Sequence, residues 1–392
     1  MERIPIANKA NIASDLLLAW RAYADGVTPQ TTKTRQKYWK AWASYCAACG
    51  QPNPYLDTIN KVEQGIILLA FAARVRTGAF GYGHQVTVQT ITDALSAISQ
   101  TCRLAGKQSP TIEAEGSYIL PLKRMLEGFK RLDPPSTPQM AVPVDVPEEA
   151  RRLGLATGDN LQAAAGDLTV IAFYFLLRSG EYTKPRRVRR NGKWIRATRT
   201  KQFTVGDIGF WKDGKILTRH STLEELCKAD AATMKISNQK NGRTGQTIHH
   251  ESTGPTGAVA ALARRVHHIL SHGGTEANLI CAVCIDQNWT SVESSHIVAL
   301  VRLAAKSLKL HVQGIDPDLI GAHSLRAGGA MALKIWGFKD STIRKFGRWS
   351  SDTWQMYIHS QISQLYEGVA DKMSQHIPFK NIAFIEPPQQ EI

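Results

Sequence analysis

Five prolines fall within the fifteen residues 133–147, DPPSTPQMAVPVDVP. Proline fixes φ and lacks a backbone N–H, so prolines at this density end helices and stiffen a connecting segment. The chain has 392 residues, which leaves room for about two domains. We therefore predict a first domain over residues 1–138, a proline-rich linker over 139–147 and a second domain over 148–392.

Residues 1–138 predict a small bundle of helices with basic faces. Ser14 can cap the first helix, and Thr31 or Thr32 can begin the second, TKTRQKYWKAWASYCAAC. The spacing of apolar residues predicts three more helices, at about 62–77, 87–104 and 119–132. Lysines and arginines lie on several of these helices, but any one of them alone is more simply interpreted as solvated surface.

The second domain begins with a predicted helix from about Pro147, followed by a nearly all-apolar helix over 167–178, DLTVIAFYFLLR. Arg178 stands at the end of that buried helix. Because an unpaired buried charge is costly, its guanidinium either pairs with Glu181 or binds an anion.

A small antiparallel sheet is predicted downstream, because FTVGDIGFW and GKILT alternate like strands. Residues 232–237 and 245–250 fit a hairpin with Asn-Gly at its turn and Lys240 at its tip. Later helices are expected at about 256–271 and 294–309. The predicted fold class is mainly α, with an N-terminal helical bundle and a mostly helical second domain that carries a small antiparallel β-sheet.

The charge balance indicates a polyanionic partner. The formal net charge is +15, and the sequence pI is about 9.6, which favours nucleic acid over a membrane. Residues 184–201, KPRRVRRNGKWIRATRTK, contain no acidic residue and show no apolar period. A ribbon laid along DNA phosphates and a disordered charged insert both fit this run. Its candidate phosphate-binding residues are Arg186, Arg187, Arg189 and Arg190.

A second stretch carries candidate chemistry, GAHSLRAGGAMALKIWGFKDSTIRKFGRWSSDTWQMY over residues 321–357. His323 and Arg326 are three apart and share one face of a predicted helix. A second helix is predicted at 340–346, with Gly347 as its C-cap. A basic pair followed by Trp349 and Tyr357 suits binding a phosphate and attacking it with a phenol.

The order Arg178, Lys240, His323, Arg326, Trp349 and Tyr357 resembles the tyrosine recombinase (phage integrase) family. The match covers about 167–366, and its clearest pieces are LLRSGEY, FTVGDIGF, QKNGRTGQTI, GAHSLRAGGA and GRWSSDTWQMYI. The pieces occur together and in order, whereas a lone HxxR is a weak signal. The first domain is similar to the family's core-binding domain in architecture only. The resemblance implies a tyrosine-recombinase-like catalytic domain.

The resemblance also implies the roles of these residues. Arg178 and Arg326 would grip the non-bridging oxygens of a DNA phosphodiester, and Tyr357 would attack phosphorus to give a 3′-phosphotyrosine. Lys240 would protonate the departing 5′ oxygen, and His323 would either assist proton movement or donate a hydrogen bond to the phosphate.

Two further positions follow from the same resemblance. Glu181 matches an acidic residue that the family often carries at this position, where it would hold the active-site residues in place without touching DNA. Trp349 would donate its indole N–H to a phosphate oxygen, but it lies eight residues before Tyr357, where relatives place a His or Trp nine before. Arg348 is nine before, so Trp349 is preferred and Arg348 stays an alternative.

The implied partner is double-stranded DNA, held by a clamp of two domains and exchanged by four protomers. No cofactor, metal or membrane is implied, because the arginines supply the positive charge and the covalent bond conserves the phosphodiester energy. Two other functions fit less well: a type IB topoisomerase-like nicking-closing enzyme and a domesticated DNA-binding protein that no longer cuts.

Six cysteines include two CxxC pairs, Cys46 with Cys49 and Cys281 with Cys284. A shared zinc site is one interpretation, but the first pair lies in a helical pattern and the pairs are far apart, so free thiols are preferred. The sequence shows neither a signal peptide nor an apolar run of about 20 residues. We expect an intracellular protein that is found with DNA, in the nucleus if the source is eukaryotic and in the cytoplasm or nucleoid if it is prokaryotic.

Overall fold

The computed structural model describes residues 6–113, 116–134, 140–190, 193–198, 200–237 and 245–357. The chain divides into two compact units. Unit 1 comprises Met1–Thr137, Lys184–Gln202 and Ile236–Gln246, and unit 2 comprises Pro138–Thr183, Phe203–Lys235 and Thr247–Ile392. Helices dominate the described residues and the sheets are small and antiparallel, which confirms the predicted mainly α fold class.

Unit 1 contains five helices among its described residues. They are α1 (Ile6–Asp25), α2 (Pro29–Ala48), α3 (Lys61–Arg76), α4 (Val88–Leu104) and α5 (Leu120–Leu132). The last four bury an apolar core in which the Trp42 and Phe71 rings meet edge to face at 5.0 Å. The bounds of α3, α4 and α5 agree with the predictions to within a residue.

Two predicted helix starts in unit 1 are wrong. α2 begins at Pro29 rather than at Thr31 or Thr32, because the Thr28 hydroxyl accepts the Thr31 N–H at 3.2 Å and Pro29 needs no N–H partner at the first helical position. α1 begins at Ile6, upstream of Ser14, in a stretch whose alanines favour helix.

Unit 1 also holds a two-stranded antiparallel ribbon formed by β1 (Arg187–Arg190) and β2 (Lys193–Arg196). The described residues of the basic run thus include a ribbon, one of the two interpretations that the sequence allowed. β1 contacts α2, and the Gln30 N–H donates to the Ala197 carbonyl at 3.4 Å.

Unit 2 is built around α7 (Asn160–Tyr174), which is buried on nearly all sides. The helices that pack against it are α6 (Asp145–Ala156), α10 (Ala258–Ser271), α11 (Ser294–Ser307) and α12 (Ser324–Ile335). Three shorter helices complete the described set: α8 (Ser179–Tyr182), α9 (Leu223–Cys227) and α13 (Asp340–Gly347).

The predicted bounds of α7 and α6 are wrong. α7 starts seven residues before 167, because the Asp159 carboxylate accepts the Leu161 N–H at 2.9 Å, and it ends at Tyr174. Arg178 is therefore not the last residue of α7 but the cap that precedes α8. α6 starts at Asp145 and holds Pro147 inside its first turn, where a missing N–H is harmless.

The main sheet has the order β4-β3-β5-β6. Its strands are β3 (Ile208–Lys212), β4 (Lys215–Leu217), β5 (Ala231–Ile236) and β6 (Gln246–Glu251), as the alternating pattern predicted. A further hairpin, β7 (Ala282–Ile285) with β8 (Asn288–Ser291), was not predicted.

Two consecutive glycines let α12 approach its neighbours. A Cβ at Gly328 would lie 2.1 Å from the Val142 carbonyl oxygen, and one at Gly329 would lie 2.4 Å from the Phe173 carbonyl oxygen. Residues 140–147, within the predicted linker, belong to unit 2, and Val142 is buried there. The close approach brings the start of α12 to the end of α7.

Candidate active site

The centre of the candidate site is a backbone carbonyl. Leu176 follows α7 with a left-handed φ of 47°, a conformation that costs a residue with a side chain about 1 kcal/mol. Its carbonyl accepts from Arg326 Nη1 and, at 2.9 Å, from Arg348 Nη2. Its side chain packs in an apolar cluster with Trp349 and Trp354.

Glu181 joins two further groups to this centre. The residue is only 2% exposed. Its Oε2 accepts the backbone N–H of Arg178 at 2.8 Å and Arg348 Nη2 at 3.1 Å. Its Oε1 lies 3.3 Å from Arg178 Nη1. The structure thus pairs Arg178 with Glu181, one of the two alternatives that the sequence left open.

Arg326 is almost completely enclosed, with 1% of its surface exposed. Its Nη1 donates to the Leu176 carbonyl and its Nη2 to the Gly347 carbonyl. Its guanidinium carbon lies 4.3 Å from the centroid of the Trp349 ring, an arrangement that attracts a cation. α12 therefore connects the end of α7 with the end of α13.

Arg348 is equally buried, at 1% exposure, and it caps α13 with a left-handed φ of 59°. Gly347 was predicted as this cap, and that prediction is wrong. Gly347 is the last helical residue, and a Cβ there would lie 1.5 Å from the Trp349 ring. The glycine makes room for the indole, while the contacts of Arg348 with Glu181 and Leu176 hold the left-handed residue.

Burial lowers the pKa of Arg348, and the neighbouring Glu181 carboxylate partly opposes that effect. Its Nε and Nη1 have no hydrogen-bond partner among the described residues. Because this buried guanidinium has few hydrogen-bond partners, loss of the Glu181 carboxylate would leave its charge uncompensated and destabilise the fold.

The remaining predicted residues are placed only in part. His323 is exposed and precedes α12, one turn before Arg326. Tyr357 is the last residue of a 3₁₀ helix, Asp352–Tyr357, which contacts α12 and α13 and buries Trp354 in the apolar cluster. The Tyr357 side chain and the whole of Lys240 lie outside the described residues.

The predicted phosphate-binding arginines are found on the ribbon of unit 1 or beside it. Arg186, Arg187 and Arg189 are exposed. The side chain of Arg190 lies outside the described residues.

The described parts of the chain show no group of three or more His, Cys, Asp or Glu residues placed to hold a metal ion. Cys46 is buried and Cys49 exposed, and burial raises the pKa of the Cys46 thiol to about 12. Cys281 and Cys284 are both buried, and neither forms a disulfide. None of the described helices is long and apolar enough to cross a membrane.

Sequence reasoning missed the acceptor that the two buried arginines share, because it is a main-chain atom. Among the described residues, the site therefore holds the guanidiniums of Arg178, Arg326 and Arg348, and the Glu181 carboxylate pairs with the first and the last of them. An excess of fixed positive charge near an exposed imidazole suits an anion such as a phosphodiester.

No protein-family model matches the sequence, and no curated protein matches it. Among solved structures, the XerH site-specific recombinase bound to palindromic difH substrate is 15% identical with a TM-score of 0.47, over 81% of this chain and 74% of that one. The Tn1549 transposon integrase in complex with transposon right end DNA is 13% identical with a TM-score of 0.40, over 79% and 85%. XerA recombinase is 14% identical with a TM-score of 0.35, over 88% and 100%. By their own descriptions, these three proteins are two recombinases and a transposon integrase.

Proposed function

We propose that this chain is a site-specific DNA recombinase of the tyrosine type, which cleaves and rejoins duplex DNA through a 3′-phosphotyrosine. One observation carries the proposal. Arg326 reaches the Leu176 carbonyl from 150 residues away along the chain, next to the Glu181 carboxylate that holds Arg178. Two arginines predicted from separate motifs thus meet in one network of unit 2.

The reaction needs what this network supplies. A phosphodiester is a stable anion, and planar guanidiniums stabilise the charge that develops on its non-bridging oxygens. Tyr357 Oη forms a bond to phosphorus while the bond from phosphorus to O5′ breaks. A free phenol has a pKa of about 10, so His323 accepts the tyrosine proton as attack proceeds. Lys240 gives a proton to O5′, and the reverse steps rejoin a strand.

Arg178 and Arg326 have different access in this proposal. The Arg178 side chain is partly exposed, so it can meet a phosphate directly. Arg326 is enclosed, and its two Nη atoms bind main-chain carbonyls. Contact between Arg326 and a phosphate therefore requires the site to open when DNA binds.

In this proposal Trp349 and Arg348 have different roles. Trp349 covers one face of the Arg326 guanidinium, so it orients that arginine for the phosphate. Arg348 holds Glu181 and the Leu176 carbonyl from within the protein. We assign Arg348 as a positioning residue rather than a group that touches DNA.

Covalent capture tests the function without knowledge of the target sequence. The protein is incubated with fragmented DNA from its source, denatured and digested, and nucleotide-bearing peptides are identified by mass spectrometry. A nucleotide on Tyr357, lost in Tyr357→Phe and kept in Tyr366→Phe, is the expected result. DNA binding with no adduct in the wild type would instead indicate a non-cutting binder. Relaxation of supercoils without recombinant products would indicate a topoisomerase.

A further inference from the structure

We propose that the β1–β2 ribbon is a groove-binding element for duplex DNA, in which Trp194 enters the groove and its neighbouring arginines bind the flanking phosphates. The proposal rests on the proposed action on DNA, and it adds a recognition surface in unit 1 to a reaction site in unit 2. Its basis is the register of the ribbon, the exposure of one face and the anchoring of the other.

The register sorts the side chains onto two faces. Arg187 pairs with Arg196, and Arg189 pairs with Trp194. Paired residues share a face and successive residues alternate. Three arginines and one indole therefore stand together on one side of the ribbon, which was not visible in the linear order of the basic run.

The opposite face anchors the ribbon to unit 1. Val188 pairs with Ile195 on that face, and Val188 is buried. The hydrogen bond from Gln30 to Ala197 fixes the end of β2 beside α2. The face with Trp194 is therefore the one turned to solvent, and a one-residue slip of register would bury arginines instead.

The solvent face is unusual in what it exposes. Trp194 is 65% exposed, although it is the largest apolar side chain of the ribbon. Arg187, Arg189 and Arg196 beside it are exposed as well, and residues 184–201 hold no acidic residue that could neutralise them. Arg196 Nη1 donates to Gln202 Oε1 at 3.1 Å, which orients its guanidinium.

Duplex DNA fits this surface in charge and size. The major groove, about 12 Å wide, admits a two-stranded ribbon. Alternate residues such as Arg187 and Arg189 stand about 7 Å apart along a strand, the axial rise of about two nucleotides. An indole gives apolar contact with base edges or a base step, and arginines on both strands reach the phosphates on either side.

The test separates the indole from the charges. A fluorescein-labelled duplex of mixed sequence is titrated with the full chain in a salt series from about 50 to 200 mM. Trp194→Ala is expected to weaken binding about tenfold at each salt concentration and to leave the salt slope unchanged. Arg189→Gln is expected to weaken binding and to lower the salt slope by about one.

Matched controls come from hairpins of unit 2. Trp289 is 43% exposed on β8, and Lys215 is exposed on β4. Trp289→Ala and Lys215→Gln are expected to bind as the wild type does. Because Trp194 is exposed, Trp194→Ala should keep the wild-type thermal midpoint, which shows that lost binding is not lost folding.

Wild-type affinity and salt slope in both Trp194→Ala and Arg189→Gln would overturn the proposal. An effect of equal size in Trp289→Ala would also overturn it, since the loss would not be specific to the ribbon. The covalent capture experiment is read independently. Ribbon variants that bind weakly while the wild type forms no adduct would leave the groove proposal standing and remove the catalytic one.

Discussion

The two arginine clusters of this molecule differ in their environment: one is exposed to solvent and the other is buried. The ribbon of unit 1 leaves Arg187 and Arg189 in water, where each charge is hydrated and needs no protein partner. The candidate site of unit 2 encloses Arg326 and Arg348. Arg326 donates to two main-chain carbonyls, and Arg348 donates to one carbonyl and to the Glu181 carboxylate. The number of basic residues in a cluster therefore does not predict how much they contribute to stability. Only the buried arginines of unit 2 are coupled to the stability of the fold.

The largest expected effect of a single substitution is at the carboxylate that the buried cluster shares. Glu181→Gln leaves Arg348 enclosed without a counter-charge, and we expect unfolding by urea to require about 3–5 kcal/mol less free energy. Glu224→Gln is the control, because Glu224 pairs with Lys228 on the surface at 2.5 Å. That exposed pair is expected to change stability by about 0–1 kcal/mol. If Glu181→Gln and Glu224→Gln lowered the free energy of unfolding equally, the contrast between buried and solvated charges would be wrong.

A smaller effect is expected where Gly347 makes room for the Trp349 ring. Gly347→Ala places a methyl group into that ring, so the indole must leave Arg326, and we expect a loss of about 1–3 kcal/mol together with weaker adduct formation. Gly128→Ala in α5 is the control, since a Cβ there meets nothing within 4 Å. It should be neutral or stabilising by about 0.4–1 kcal/mol. A neutral Gly347→Ala would show that the indole is not confined.

Stability should also depend on pH through a histidine of unit 2. Burial first, and then Arg265, lower the pKa of His268 to about 4, below the value of about 6.5 for a free imidazole. Between these values the unfolded chain binds a proton that the folded chain does not. As the pH is lowered from about 6.5 to 4, the free energy of unfolding should therefore decrease by about 1–2 kcal/mol.

The measurement is urea unfolding over that pH range for the wild type and His268→Gln. The variant should lose part of the pH dependence, and His220→Gln, at an exposed turn, should keep all of it. Identical pH profiles for the wild type and His268→Gln would show that other groups carry the effect.

The smallest expected effect on stability is on the ribbon. Arg187→Gln removes an exposed charge with no role in the core, and we expect a change within about 0.5 kcal/mol in the same urea experiment. Arg348→Gln is the buried counterpart and should cost several times more. If Arg187→Gln destabilised the chain as strongly as Arg348→Gln, the contrast between solvated and enclosed arginines would be lost.

The sequence predicted the helices with regular apolar spacing well. α4 was expected at 87–104 and is found at Val88–Leu104. α12 and α13 lie where the stretch over residues 321–357 indicated. Such elements follow from local periodicity alone. The meeting of Arg178 and Arg326 needed the family resemblance as well, since their motifs are far apart in the chain.

Two of the failures involve left-handed backbone at residues other than glycine. The turn between β7 and β8 uses Asp286 and Gln287 at φ of 46° and 64°, where a sequence rule looks for glycine or asparagine. Arg348 takes the left-handed position that was expected of Gly347, because buried contacts hold it there. In α7 an all-apolar composition erased the periodicity that would have marked its ends.

The Leu176 carbonyl has a consequence for how this site can change over generations. An acceptor that belongs to the main chain is present whatever residue is encoded at that position, so no codon change deletes it. The drift of sequence at 176 is limited only by the apolar cluster and by the left-handed backbone. Arg326 and Arg348 thus share an acceptor that a mutation can displace but cannot remove. Any movement of the Leu176 carbonyl at the end of α7 would move both guanidiniums.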